Sequence, residues 1–278
     1  MRRQIRVVAP GLLVFLGAAL SCASGTASVV RGSLPDTVDS RVDSKSGLAF
    51  VHIPGGAFHF GCEPQDSACD DDEKPGREVA VGSFWLGKTD VTVAAYQQCI
   101  AAGACEDIPT DDAQHRCNLK NGRLDHPINC IDWKQAQSFC GWIGGRLPTE
   151  EEWEFAAKGG SSRVYPWGDS PLDATRANVC DRQCRLADPT FTWADSTLDD
   201  GFGATSPVGS FSAGASRWGL LDMSGNVWQW TASAYGETAS KVQRGGAWSD
   251  LPRHARASDR YRNDPALRIP SIGVRCGM

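Results

Sequence analysis

The stretch RGGAWSDLPRHARASDRYRND, Arg244 to Asp264, concentrates side chains that can do chemistry. Arg253, Arg256, Arg260 and Arg262 are interleaved with Asp250, Asp259 and Asp264, and His254 stands among them. Guanidinium forks match carboxylates and phosphates in two-point contacts. Trp228, Trp248 and Tyr261 would supply apolar walls to a groove. Two readings compete. In the first, the charges pair with one another and fix an irregular loop on the core. In the second, Trp228, Trp248, Arg253, His254, Arg256 and Arg260 grip an extended peptide or an anionic group. The stretch has no thiol, although the chain has eleven cysteines.

Those cysteines point to oxidation rather than to a metal. Setting Cys22 aside leaves ten, an even number that suits a disulfide framework in an oxidising compartment. Four couples lie close in sequence: Cys62 with Cys69, Cys99 with Cys105, Cys117 with Cys130, and Cys180 with Cys184. Cys140 and Cys276 are then left over, although spacing alone leaves the connectivity open. Zinc is disfavoured, because no Cys-x-x-Cys occurs and His52, His59, His115, His126 and His254 are scattered. No Gly-rich phosphate loop is present, and the acidic run Asp70 to Glu73 reads as a solvated loop. A net charge of −5 argues against generic nucleic-acid binding.

The elements that must position these residues begin after an export segment. Arg2, Arg3 and Arg6 precede an apolar run from Val7 to Leu20 that is too short and interrupted to span a membrane. Ala19-Leu20-Ser21-Cys22 resembles a bacterial lipobox, so residues 1–22 read as a signal peptide with Cys22 carrying the lipid. The expected location is periplasmic or cell-surface, with the lipid anchor in the membrane. Residues 23–46 read as a flexible tether, and residues 47–278 as the folded domain. Within it, AFVHIPGGAFHFG has the alternation of a short hairpin. Three helices are predicted: one capped by Thr92 and ending at Gly103, one capped by Asp132 over WKQAQSFCGWIGG, and one starting at Thr149. Thr149 and Glu152 form a capping box, and Glu150, Glu151 and Glu152 suit the positive end of that helix. After Gly160 no long helix is predicted. Thirty glycines and fifteen prolines fit such a turn-rich chain, which must be fastened by disulfides or bound cations.

Taken in order, GWIGGRLPTEEEWEFAAKGG, YPWGD, ANVCD, DGFGATSPVGSF, WGLLDMSGNVWQWTAS, RGGAWSD and IGVRC resemble the sulfatase-modifying-factor family, that of the formylglycine-generating enzymes. IPGGAFHFG and DEKPGREVAVGSFWLGKTDVT extend the likeness over residues 50–278. The resemblance implies an α+β domain, a complex variant of the C-type-lectin-like fold with little regular secondary structure. It also implies a disulfide between Cys140 and Cys276. Closing so long a loop would add about 4–5 kcal/mol in the chain-entropy account.

The resemblance further implies two structural calcium ions on oxygen ligands. The first would take the Asn178 side chain, the Val179 carbonyl, Asp200 and the Phe202 carbonyl. The second would take Asp222, the Gly225 and Val227 carbonyls, and Gln229, a neutral amide where the family often has glutamate. Catalytic members hold copper with two cysteines in the segment after RGG-x-W. Here those positions fall on Asp250 and Ala255. Soft monovalent copper needs thiolates, so copper is not expected and formylglycine generation by that route is not expected. The family binds an extended peptide, which leaves a calcium-stabilised peptide- or protein-binding module as the leading expectation. An oxidoreductase of the same superfamily working through other residues is the alternative.

Overall fold

A computed structural model describes residues 38–108 and 116–278. The expected signal peptide, Cys22 and the tether as far as residue 37 lie outside the described residues, as does His115.

The three predicted helices form, and their caps explain why. α1 (Val93–Ala101) starts where Thr92 accepts the Ala95 N–H at 3.1 Å. α2 (Trp133–Trp142) has a full capping box, with Asp132 accepting from Gln135 N and Gln135 accepting from Asp132 N. α3 (Glu150–Lys158) has the same device in Thr149 and Glu152 and stops at Gly159, which adopts φ 63°. A fourth helix, α4 (Arg182–Ala187), is a finding of the structure; Asp181 caps it by accepting from Gln183 N and Cys184 N.

Among the described residues, nine short strands build three small sheets. β1 (Ser40–Val42), β2 (Ala49–Ile53) and β5 (Phe84–Gly87) make an antiparallel sheet in the order β1-β2-β5. β3 (Gly56–Phe60) pairs with β4 (Arg77–Val81). β6 (Trp228–Ala234), β7 (Lys241–Arg244), β8 (Arg260–Asn263) and β9 (Ile272–Gly273) form a sheet in the order β8-β7-β6-β9, with β9 parallel to β6. Two expectations need correction. The hairpin expected in AFVHIPGGAFHFG does not form, because β2 and β3 join different sheets. The alternation was real, since Phe50 packs into one apolar cluster while Val51 and Ile53 face another; it records a strand covered on both faces rather than a hairpin. The tether also ends earlier than residue 46, since β1 lies within it and pairs Arg41 with Phe50.

Five disulfides fasten this framework: Cys62–Cys69, Cys99–Cys105, Cys117–Cys130, Cys180–Cys184 and Cys140–Cys276. Every cysteine among the described residues is therefore oxidised, as in a protein that matures in an oxidising compartment. The Cys140–Cys276 bond ties α2 to the C-terminal segment. That segment is also sewn to β5 by backbone bonds from Trp85 N to Met278 O and from Gly87 N to Cys276 O.

α3 carries a buried row of charge. Glu150, Glu154 and Lys158 repeat every four residues and so share one face, and all three are buried. Lys158 donates to the carbonyls of Gly61 and His59 and pairs with Glu63 and Glu154. Arg244, at the end of β7, pairs with Glu150 and Glu154 and donates to the carbonyls of Ala257 and Ser258. A buried charge left without its partner costs several kcal/mol, whereas an exposed pair is worth under about 1 kcal/mol. Glu154→Ala is therefore expected to lower unfolding free energy by about 3–5 kcal/mol in urea titrations. Removing the exposed Arg77–Glu151 pair by Arg77→Ala should cost less than about 1 kcal/mol. Equal losses in the two variants would contradict this assignment.

Candidate functional site

The arginine-rich stretch is an excursion between two paired strands. β7 and β8 run antiparallel with Arg244 opposite Arg260, and residues 245–259 leave and return between them. Two like charges in register would repel. Here Glu150 lies between them, accepting from Arg244 and, in a two-point contact, from Arg260 at 2.7 Å to each oxygen. Gly246, at φ 74°, is the point where the loop turns on itself; a Cβ there would meet the His254 carbonyl oxygen at 2.5 Å.

The loop's own backbone is pinned at intervals. Cys180 N donates to Asp250 O, Trp248 N to Asn226 O, Ser224 Oγ to Ala255 O, and Ala257 N to Val164 O. The buried guanidinium of Arg256 pairs with Asp66, Glu73 and Asp259. Arg256 is thus an internal clamp and not a ligand-gripping group, as one of the two sequence readings had it. Trp248 is buried against Phe191 and the Cys180–Cys184 bond and does not line a groove. Arg260 is held by Glu150 and the Asp72 carbonyl. Arg253 is exposed, with a pairing to Asp70 at 3.2 Å.

Trp228 and His254, by contrast, come together with Asp250 around a cavity of about 300 Å³, closed further by Tyr261, Asn263 and Ile269. The Trp228 ring lies 5.7 Å from Tyr261 and 6.4 Å from His254. Trp228 Nε1 donates to Asp250 Oδ2 at 2.7 Å. Burial pushes the Asp250 carboxyl above the ordinary carboxylate range, opposed by His254 and the indole N–H. Asp259 lies 3.1 Å from His254 Nδ1. In the neutral ring that contact keeps the proton on Nδ1 and the lone pair on Nε2. Ala255, the second position marked for a lost thiol, is buried against Ala177 and Val179 and is not part of the cavity wall. A neighbouring hollow of about 470 Å³ shares His254 and Tyr261 and is lined by Arg253, Arg260, Arg262, Tyr235 and Asp70 to Asp72. A larger one, about 740 Å³, sits at the facing ends of α1 and α2 by Asp132, Gln135 and Arg268 and holds none of the loop residues.

Asn263 and Ile269 are not singled out by sequence, and Asp259 is read there only as a counter-charge to the arginines, not as the partner of His254. Asp259 follows the irregular turn Pro252–Ala255, where no periodicity tells which acid faces which histidine.

The residues expected to hold a first calcium converge. Asp200 accepts the N–H groups of Val179 (3.0 Å) and Phe202 (2.9 Å). Burial, with Asp181 and Asp199 nearby, pushes its carboxyl up to about 7 against the pull of those N–H groups. Asn178 spends its Nδ2 on the Ala204 carbonyl, while its Oδ1 is buried with no hydrogen-bond partner. A buried acceptor without a donor and a carboxylate without a counter-charge are the two features a hard cation would satisfy. Asn178 also sits against Gly225, where a Cβ would meet the Asn178 carbonyl oxygen at 2.2 Å.

The second set fits a cation poorly. Gln229 Oε1 already accepts from Trp153 Nε1 at 2.6 Å and from Arg275 Nε at 2.9 Å. Its Nε2 donates to the Asp222 carbonyl. Burial pushes Asp222 up to about 6, with Arg275 drawing it back. The fully buried guanidinium of Arg275 supplies positive charge there, so Asp222, Gly225, Val227 and Gln229 do not form an open oxygen cage.

Comparison with known proteins places this geometry. The Sulfatase-modifying factor enzyme 1-like domain matches residues 37–277. The mouse protein named inactive C-alpha-formylglycine-generating enzyme 2 is 32% identical over 273 residues, covering 82% of this chain and 85% of its own. The formylglycine-generating enzyme of Thermomonospora curvata is 28% identical, covering 81% of this chain and 78% of its own. Among solved structures, PvdO from Pseudomonas aeruginosa superposes with a TM-score of 0.68 at 22% identity, over 86% of this chain and 97% of that one. That last likeness is one of fold.

The Asp250 environment gives a signed expectation. Its folded carboxyl binds a proton more tightly than the unfolded one. The folded state is therefore free of the burial penalty below the unfolded value of about 3.9 and bears it as pH rises through the folded value. Asp250→Asn removes that penalty while keeping an acceptor for Trp228. Its melting temperature should exceed the wild type at neutral pH and converge with it below about pH 4. A constant difference at all pH values would show that Asp250 is not held in this way.

Proposed function

The chain belongs to the family of the Sulfatase-modifying factor enzyme 1-like domain, and from that premise we propose that it is an exported, calcium-stabilised module that binds a peptide or protein and does not generate formylglycine. One observation carries the reading. All ten cysteines among the described residues are in disulfides, so no free thiol is left to hold copper, and the motif resemblance puts Asp250 and Ala255 at the two positions where catalytic members carry theirs.

The chemistry follows from the donor atoms. Monovalent copper is soft and takes thiolate sulfur. Asp250 offers hard carboxylate oxygen, already engaged by the Trp228 indole. Ala255 offers a methyl group turned into an apolar cluster. The relative named inactive formylglycine-generating enzyme 2 supports a role in this family apart from that oxidation. What remains is a walled cavity of Trp228, Tyr261 and His254 beside a hollow rich in charge, the combination that suits an extended chain with a side chain inserted.

Calcium at the first site would bind Asp200 and Asn178, with carbonyls of Val179 and Phe202, and supply the counter-charge that this irregular region lacks. The second set of residues does not fit, so a single ion is proposed. Cys22 would carry the lipid that keeps the domain at the membrane, periplasmic or at the cell surface.

Two measurements test this. A sulfatase-type cysteine peptide incubated with the full chain, monovalent copper and oxygen should keep its mass; loss of sulfur with gain of an aldehyde would overturn the reading. Calcium added to chelated protein should raise the melting temperature, with about 2.7 kcal/mol of stabilisation at a hundredfold excess over Kd. Asp200→Ala should abolish most of that shift, and an undiminished shift in the variant would move the ion elsewhere.

A further inference from the structure

The cavity beside Asp250 has a chemical preference of its own. Most buried carboxylates in this protein have a fixed partner. Glu63 and Glu154 have Lys158; Glu73 and Asp259 have Arg256; Glu150 has Arg244 and Arg260; Asp132 has Arg268. Asp90 faces Arg275 at 3.8 Å. Asp181 has no cation but accepts three backbone N–H groups, from Gln183, Cys184 and Asp200.

Asp250 differs from all of these. No lysine or arginine pairs with it among the described residues. Its carboxylate is held only by uncharged donors, the Trp228 indole N–H at 2.7 Å and the backbone at Ala247. It lines a cavity, and the walls of that cavity are aromatic: Trp228, and Tyr261 with 53% of its surface exposed. Elsewhere in this chain, cations already use the faces of such rings. Arg262 lies 4.4 Å from the Tyr235 centroid, Lys241 4.5 Å from Trp133, and Arg41 4.4 Å from Trp85. Among the described residues no lysine or arginine lies over the Trp228 or Tyr261 ring, and the two rings face each other at 5.7 Å.

We propose that this cavity takes the basic side chain, lysine or arginine, of a peptide ligand, with Asp250 as its counter-charge and Trp228 and Tyr261 as its walls. This rests on the peptide-binding reading and deepens it. A carboxylate without a paired lysine or arginine at the foot of an aromatic slot is complementary to an alkyl stem ending in a cation. The volume of about 300 Å³ admits such a side chain. An acidic side chain would meet the Asp250 carboxylate in the cavity wall. A neutral one would desolvate the Asp250 carboxylate without bringing it a counter-charge.

Fragment titration of the full chain tests the cavity apart from the wider reading. The Trp228 indole N–H resonance, assigned by its loss in Trp228→Phe, is followed while n-butylguanidinium, n-butylammonium, n-pentanol or pentanoate is added. The two cations should shift it saturably, and Asp250→Asn should weaken them by about tenfold or more. The alcohol and the carboxylate should not compete. Equal binding of the neutral fragment, or no loss in Asp250→Asn, overturns the proposal. A displayed random-peptide library is then selected on the same protein. Selected peptides rich in lysine or arginine and displaced by n-butylguanidinium support it. Selected peptides that the cation does not displace overturn it while leaving the binding reading intact. A cavity that binds the fragments but selects no peptide overturns the peptide source.

Discussion

Buried charge is the constraint on which the rest of this structure depends. Lys158, Arg244, Arg256 and Arg275 are fully enclosed, and an enclosed cation is tolerated only where carboxylates and carbonyls close around it. Each of the first three therefore dictates where distant segments must lie. Lys158 draws the Gly61–Glu63 turn onto α3, Arg244 fixes the end of β7 to the same helix, and Arg256 binds its loop to Asp66 and Glu73. With helices of ten residues or fewer and strands of seven or fewer, regular backbone pairing leaves long connections unsupported. Ion pairs and disulfides carry those connections instead. Their value here is directional: each cation has several oxygens that must converge from separate parts of the chain, which specifies one arrangement of loops.

This explains which parts of the fold were legible in sequence. Helix starts are local, so Thr92, Asp132 and Thr149 identified α1, α2 and α3 from three or four neighbouring residues. α4 is six residues long and too short to show a periodicity. Alternation around Phe50 signalled a strand but not its partners, because β2 pairs with segments that precede and follow it while β3 turns to another sheet. Glu150 looked like a dipole partner at an exposed helix start; its real partners, Arg244 and Arg260, lie about a hundred residues on. The family likeness pointed to Asp250 as a site position. It did not reveal that Arg256 and Trp248 face inward, because the loop's irregular backbone gives no rule for which side chain points where.

Two local charge problems are solved in contrasting ways. Around Asp222, Arg275 brings a permanent guanidinium from the closing segment, held by Gln229 and by the carbonyls of Gly87 and Leu221. Around Asp200 no lysine or arginine pairs with the acid among the described residues; it accepts the N–H of Val179, whose neighbour Asn178 keeps a buried Oδ1 without a hydrogen-bond partner. A residue-borne cation is available as soon as the chain is made. The calcium proposed at Asp200 would have to be acquired from the medium, so the two halves of this region would respond to different surroundings.

The stretch from the end of β7 through the loop into β8 divides its labour by side-chain direction. Arg244, Arg256, Ala255 and Trp248 face inward and hold it, while Arg253, Tyr261 and Arg262 face solvent and hold little. Anchoring and presentation are thus assigned to different positions of one short segment. Mutational drift can rewrite the outward set with slight effect on folding. Such a scaffold is readily evolvable: new recognition properties can be sampled on it without first rebuilding the protein beneath.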